Sequence, residues 1–169
     1  DEKYILTLAD IHKQDVPDLL DKYKFTYSKA VIYKTVSSDM VKEVQIQADN
    51  ATVEVVPTSD TEIKVELITK GLDVSKLDFT AEVEGNKLTI RLKEQSTITI
   101  GFNIRSSHLY VYVPQKTYDS FVVENDNGKM KMSELNIKNL IVRTDNGRIE
   151  LNKIVAENVD AKSANGRVD

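Results

Sequence analysis

The chain has 169 residues, 40% of them apolar and 30% charged, with a formal net charge of −4 and no cysteine. That length suits one domain, or a domain plus a small appendage, and the apolar share is too high for a disordered tail. The acidic balance argues against a binder of nucleic-acid backbone, and the missing cysteines exclude a disulfide framework, a Cys-zinc site and a thiol nucleophile. No apolar run approaches the roughly 20 residues of a membrane-spanning helix.

Residues 1–41 form a segment apart. In "DVPDLLDKYKF" (residues 15–25) Asp15 is placed to cap, Pro17 falls in the first turn, and Leu19, Leu20 and Tyr23 share one face. This predicts one short helix, held by packing because its length is marginal. The following "FTYSKAVIYKTV" is rich in aromatic and β-branched residues and reads as a strand. The chain begins at Asp1, which fits plain trimming or the removal of a signal peptide or membrane anchor.

From Glu43 the apolar period becomes two, in "VQIQA", "TVEVV", "EIKVEL", "FTAEVEG", "KLTIRL", "TITIGFNI" and "LYVYV". Gly85-Asn86 reads as a tight hairpin turn, and Pro57 and Pro114 each close a strand, where a missing N–H does least harm. These runs predict alternating antiparallel strands.

From Phe121 a repeat takes over. Asn127-Gly128, Asn146-Gly147 and Asn165-Gly166 are spaced 146 − 127 = 19 and 165 − 146 = 19 residues, and they use three of the six glycines. Phe121, Leu140 and Val159 fall in register. So do Val123, Val142 and Ala161; Met130, Ile149 and Val168; Met132 and Leu151; Leu135 and Ile154; Ile137 and Ala156. Each unit could be a coil of a stack, with coils about 4.8 Å apart. Alternatively each Asn-Gly could turn an antiparallel hairpin. Charge pairing suits both, since Glu124 would face Lys131 across a turn and Arg143 along a stack. The constant spacing favours stacking, because separate hairpins tolerate drifting loop lengths.

The expectation is therefore an all-β fold in which residues 42–169 form one domain, its antiparallel strands leading into a parallel β-solenoid (β-helix) with 19-residue coils. Val142, Ile149, Leu151 and Ile154 should be buried, and Arg143, Arg148 and Glu150 exposed. Asp169 falls inside a third repeat. This predicts that the solenoid is truncated, that the native protein continues, and that an open strand edge can associate end to end.

The segment "HLYVYVPQKTYDSFVVENDNGKMKMSELNIKNLIVRTDNGRIELNKIVAENVDAKSANGRV" (residues 108–168) resembles the bacterial "putative-adhesin" family of β-strand-repeat envelope proteins. The shared pattern is an alternating strand ending in Pro, then units of apolar-x-apolar, a polar turn with Gly, and apolar-x-apolar. The resemblance implies a right-handed parallel β-solenoid, exported or tethered at the bacterial surface, in some members linked to envelope stress. It implies no catalytic residues.

Three features bear on chemistry. The Asn-Gly columns (Asn127, Gly128, Asn146, Gly147, Asn165, Gly166) read as a structural turn ladder, since Asn and Gly tolerate positive φ and stacked amides can bond from coil to coil. Asp126 and Asp145 beside them raise calcium, but the Gly-Gly-x-Gly-x-Asp spacing is missing and Ala164 breaks the column. The basic column Lys129, Arg148 and Arg167 is the best recognition candidate, a row of cations for an anionic envelope polymer or a surface protein. Asp126 and Asp145 are the acids expected to offset it.

His12 and His108 lie far apart without a nucleophile motif, and Glu124, Glu150 and Asp169 alternate with Arg143 and Lys162 as a surface pattern does. Asn50-Ala51-Thr52 fits the glycosylation sequon, which matters only in a eukaryotic secretory route. No cofactor, metal or nucleic acid is implied. The reading is a non-catalytic extracytoplasmic module of a bacterial cell envelope, a scaffold or adhesin-like surface. The alternatives are a solenoid carbohydrate-active enzyme, which needs converging acids in a groove, and a regulatory protein acting through partners, with residues 1–41 transmitting.

Overall fold

A computed structural model describes residues 5–7, 29–70, 77–94 and 106–169. The helix expected over residues 15–25, the strand "TITIGFNI" and His12 lie outside the described residues. The elements are β1 (Ile5–Thr7), β2 (Lys29–Ser37), β3 (Glu43–Asn50), β4 (Thr52–Thr58), β5 (Glu62–Lys70), β6 (Leu77–Glu84), β7 (Lys87–Glu94), β8 (Ser106–Pro114), β9 (Thr117–Asn127), β10 (Met130–Ser133), β11 (Asn136–Asn152) and β12 (Val155–Val168). They form one 12-stranded sheet that curls into a nearly closed, barrel-like shape, in the order β1-β2-β5-β8-β4-β10-β11-β9-β3-β7-β6, with β12 paired to β11.

Pairing is mixed. β1–β2, β2–β5, β5–β8 and β6–β7 are antiparallel. The β6–β7 hairpin turns at Gly85-Asn86, with Glu84 opposite Lys87 and Gly85 at φ 61. The expectation of antiparallel strands before the repeat fails at β3 and β4. β3 lies parallel to β7 and β9, and β4 lies parallel to β8 and β10. The reason is that β3 and β4 meet at Ala51 in a corner of the same kind as each later Asn-Gly, so they carry parallel pairing onto both walls.

Within the repeat, β11 pairs in parallel with β9 and β12, joining residues 19 apart: Ile137 to Tyr118 and Ala156, Val142 to Val123 and Ala161, Asn146 to Asn127 and Asn165. β11 runs through the corner, so its first part meets β9 while Ile149–Asn152 meet β10. Arg143 therefore neighbours Glu124, and Lys131 neighbours Glu150, as stacking requires.

Alternation sends one side of each strand inward. The inner side chains join in one cluster that includes Val44, Ile46, Val53, Val55, Val65, Leu67, Ile90, Leu109, Val111, Phe121, Val123, Met130, Leu140, Val142 and Ile149. Tyr118 is also fully buried, edge-on to Phe121 at 5.1 Å, and its hydroxyl donates to Pro114 O at 3.0 Å. Val142 and Ile149 are buried as expected, but Leu151 and Ile154 only half so. The cover thins toward β12, whose Val155 and Val159 are 67% and 53% exposed. Arg143 and Arg148 are exposed, whereas Glu150 is half-buried because two cations close over it.

Candidate functional site

The Asn-Gly columns stack as a continuous ladder. Asn165 Nδ2 donates to Asn146 Oδ1 at 3.1 Å, Asn146 Nδ2 to Asn127 Oδ1 at 2.9 Å, and Asn127 Nδ2 to Asn50 Oδ1 at 2.7 Å. Asn50-Ala51 is thus a fourth rung. It escaped the period because the chain detours through β4–β8 before Asn127, a gap of 77 residues instead of 19.

The glycines serve a different purpose from the one expected. Of the three ladder glycines only Gly128 has a positive φ, 126°. A Cβ on Gly147 would lie 1.9 Å from Gly128 O, one on Gly166 1.8 Å from Gly147 O, and one on Gly128 2.2 Å from Ala51 O. Close approach of backbone to backbone, more than turn geometry, selects Gly here. A polar column beneath ties side chain to backbone: Asn125 Nδ2 donates to Ala51 O at 2.8 Å, Thr144 Oγ1 to Asp126 O at 3.4 Å and Ser163 Oγ to Gly147 O at 2.9 Å.

A second corner carries Glu134 and Lys153 at φ 56 and 53, without Gly or Asn at those positions to signal it. Their side chains pair at 2.8 Å, so the strained positions of successive units hold each other. The cleft beside this corner, about 360 Å³, is lined by Pro114, Gln115, Lys116, Glu134, Leu135 and Asn136. Its Lys116 donates to Ser38 O at 2.5 Å and lies 5.3 Å from the Tyr118 ring centroid, with burial lowering its pKa. Both charges of the cleft are therefore engaged within the fold.

Lys129, Arg148 and Arg167 do align in one column, but they are not a free row of cations. Lys129 meets Glu150 at 2.7 Å, Arg148 meets Glu150 at 3.1 Å and Asp169 at 2.6 Å, and Arg167 meets Asp169. The offsetting acids are thus Glu150 and Asp169. Asp126 and Asp145 lie beyond the Asn-Gly corner, whereas Glu150 follows Arg148 by two residues and shares its face. Hydrogen bonds from Lys129 and Arg148 hold the Glu150 and Asp169 carboxyls below their ordinary pKa.

An aromatic and acidic face on β8 and its neighbours has no signal in the linear pattern. Across the sheet run Tyr33, Glu66, Tyr110, Glu54, Lys131 and Glu150, each opposite the next. Along β8, His108 and Tyr110 stack at 4.1 Å and Tyr110 and Tyr112 at 6.1 Å. Lys64 lies over the Tyr33 and Tyr112 rings at 4.5 and 5.6 Å. The Tyr112 hydroxyl donates to Glu66 at 3.3 Å, and burial, reinforced by Glu66, pushes its pKa up to about 12. Glu54 accepts from Lys131 at 2.9 Å and lies 3.6 Å from His108, whose pKa burial lowers.

Glu54 and Glu66 flank β8, two strand spacings or about 9.6 Å apart. Tyr110 stands between them in the row. The face is arranged for packing and charge pairing. Among the described residues no group of three or more His, Cys, Asp or Glu side chains is placed to hold a metal.

Comparison with known proteins fits this architecture. A protein of Bacillus subtilis (strain 168), "Uncharacterized protein YvlB", is 27% identical over 130 residues, 72% of this chain and 33% of that protein. The chain thus spans about a third of the length of the curated relative it matches. The crystal structure of a "putative cell adhesion protein" from Clostridium sporogenes aligns with a TM-score of 0.61 at 10% identity, covering 82% of this chain and 96% of that one. A "putative adhesin" from Parabacteroides distasonis aligns more weakly, with a TM-score of 0.43 at 14% identity over 82% of this chain and 63% of that one. Residues 41–169, most of the sequence, match the Toastrack family DUF4097, and the chain belongs to that family.

Proposed function

We propose that this chain is a non-catalytic, extracytoplasmic β-solenoid module of a bacterial cell-envelope protein, working as a stiff scaffold that presents other parts of its protein. The observation that carries this reading is the 19-residue register of β9, β11 and β12. In it amide stacks onto amide and carboxylates sit between cations. Such columns fix each coil on the next. The module is thereby rigid along its stacking axis. The Clostridium sporogenes neighbour is described as a "putative cell adhesion protein", which agrees with a surface setting.

In this reading the Lys129, Arg148 and Arg167 column stiffens the stack and does not capture an anionic envelope polymer, since two carboxylates already lie among its three cations. The test has two arms. Protease added to intact cells of the native host should cleave the protein that contains this chain; full protection, with the protein recovered in the cytosol, overturns the extracytoplasmic setting. Co-sedimentation with a teichoic-acid-type polymer should be unchanged on replacing Lys129, Arg148 and Arg167 by Ala. Salt-sensitive binding that those replacements abolish would make the column a recognition site and overturn the scaffold role.

A further inference from the structure

His108 is the one histidine among the described residues, and it is set into the middle of the sheet rather than at a border. β8 carries it between β4 and β5, with Thr52 opposite on one side and Ile68 on the other. Its ring lies flat against Tyr110, with 4.1 Å between centroids and 6° between planes. The side chain is 34% exposed, yet Nε2 is turned inward and has no hydrogen-bond partner among the described residues. Glu54 Oε2 stands 3.6 Å from it, too far for a hydrogen bond.

The charges around the ring decide where it goes when it takes up a proton. Glu54, on β4, attracts an imidazolium, but Lys131 on β10 already holds that carboxylate at 2.9 Å. A charged His108 would be a second cation on one carboxylate, in the field of the first. On β5 the flanking charges are Glu66 and Lys70, opposite Tyr110 and Ser106. Glu66 accepts from the Tyr112 hydroxyl at 3.3 Å, and Lys70 is a further cation. Burial opposes the charge on His108 more than Glu54 favours it, and the balance lowers its pKa.

We propose that His108 is an acid-released latch on this wall: neutral, it stays against Tyr110; protonated, its ring turns out to water and uncovers that face of Tyr110. The exposed side of the ring gives it a way out by side-chain rotation alone, with the β4 and β5 ladders left intact. The folded value lies below the unfolded one. The stabilisation from the stacked, neutral ring is therefore complete above the ordinary histidine range and is lost as pH falls through the folded value. Below that value the wall presents a bare tyrosine ring between Glu54 and Glu66, so its surface chemistry changes with mild acidification.

The test is two-dimensional NMR of the full chain, titrated across the histidine range, following the His108 and Tyr110 ring protons together. His108 should titrate at a lower pH than it does in the chain unfolded in urea. The nuclear Overhauser contacts between the two rings should disappear with the same midpoint. Glu54→Gln removes the attracting charge and should lower that midpoint. Lys131→Met frees Glu54 and removes the competing cation, so it should raise the midpoint. Ring-to-ring contacts that persist while His108 protonates would overturn the latch. The two variants moving the midpoint in the same direction, or leaving it unchanged, would overturn the charge balance on which it rests.

Discussion

Gly147→Ala probes the stack where two backbones come closest. The new Cβ would lie 1.9 Å from Gly128 O and 2.9 Å from Gly128 C. Relief to a contact of about 3 Å requires the two backbones to part by roughly 1 Å. These atoms belong to backbone, so no side chain can swing aside. The bond from Gly128 N–H to Asn146 O, 3.0 Å long, would stretch to about 4 Å and cease to be a hydrogen bond. β11 is gripped by β9 and β10 on one side and β12 on the other, so it cannot retreat without loosening a second ladder. Two or three ladder bonds lost, each worth about 0.5–1.5 kcal/mol net, give roughly 1–4.5 kcal/mol. For a chain of this size that lowers the melting temperature by roughly 2–18 °C. Thermal denaturation followed by circular dichroism reads it directly. Gly85→Ala is the internal reference, because nothing lies within 4 Å of that Cβ and only the φ of 61° resists it, at about 1–2 kcal/mol. Gly147→Ala proving no more harmful than Gly85→Ala would refute the argument from close approach.

Leu140 is fully buried in the cluster, so Leu140→Ala should cost about 2–5 kcal/mol in denaturant titration. Val159, its partner one unit on, is 53% exposed, and Val159→Ala should stay within about 0.5 kcal/mol; equal losses would misplace the core. In an alkaline absorbance titration of the seven tyrosines, Tyr112 should ionise near pH 12 and Tyr118 later still, both through burial. Their folded values lie above the unfolded ones, so this stabilisation is present below the ordinary phenol range and fades as pH rises through the folded values. Late ionisation absent from that titration would contradict their packing. The Glu150 and Asp169 carboxyls are shifted down by Lys129 and Arg148. Their stabilisation is complete above the ordinary carboxylate range and lost as pH falls through the lower folded values. Glu150→Gln should therefore shallow the acid side of the stability profile, and an unchanged acid limb would mean that the ion pairs contribute nothing.

The chain itself determined what depends on spacing. Alternating apolar residues can bury only one side of a strand, so the β-class and the inward faces of β3–β11 were legible, as was the hairpin at Gly85-Asn86. The constant 19 placed Asn127, Asn146 and Asn165 in one column, because identical residues tolerate parallel neighbours at a fixed register. Tertiary structure decided what depends on residues far apart in the chain. Asn50-Ala51 joined the ladder across a detour that hides the period. Glu150 and Asp169, not Asp126 and Asp145, offset the basic column, because the corner turns the latter pair onto another wall. Leu151 and Ile154 carry the same apolar signal as Ile149 and yet are half-buried, since burial depends on the cover that neighbouring strands supply. The His108, Tyr110 and Tyr112 stack meets Glu54 and Glu66 only because β4 and β5 flank β8. A sequence records which side chains share a strand face; which strands lie side by side is settled by how the whole sheet closes on its core.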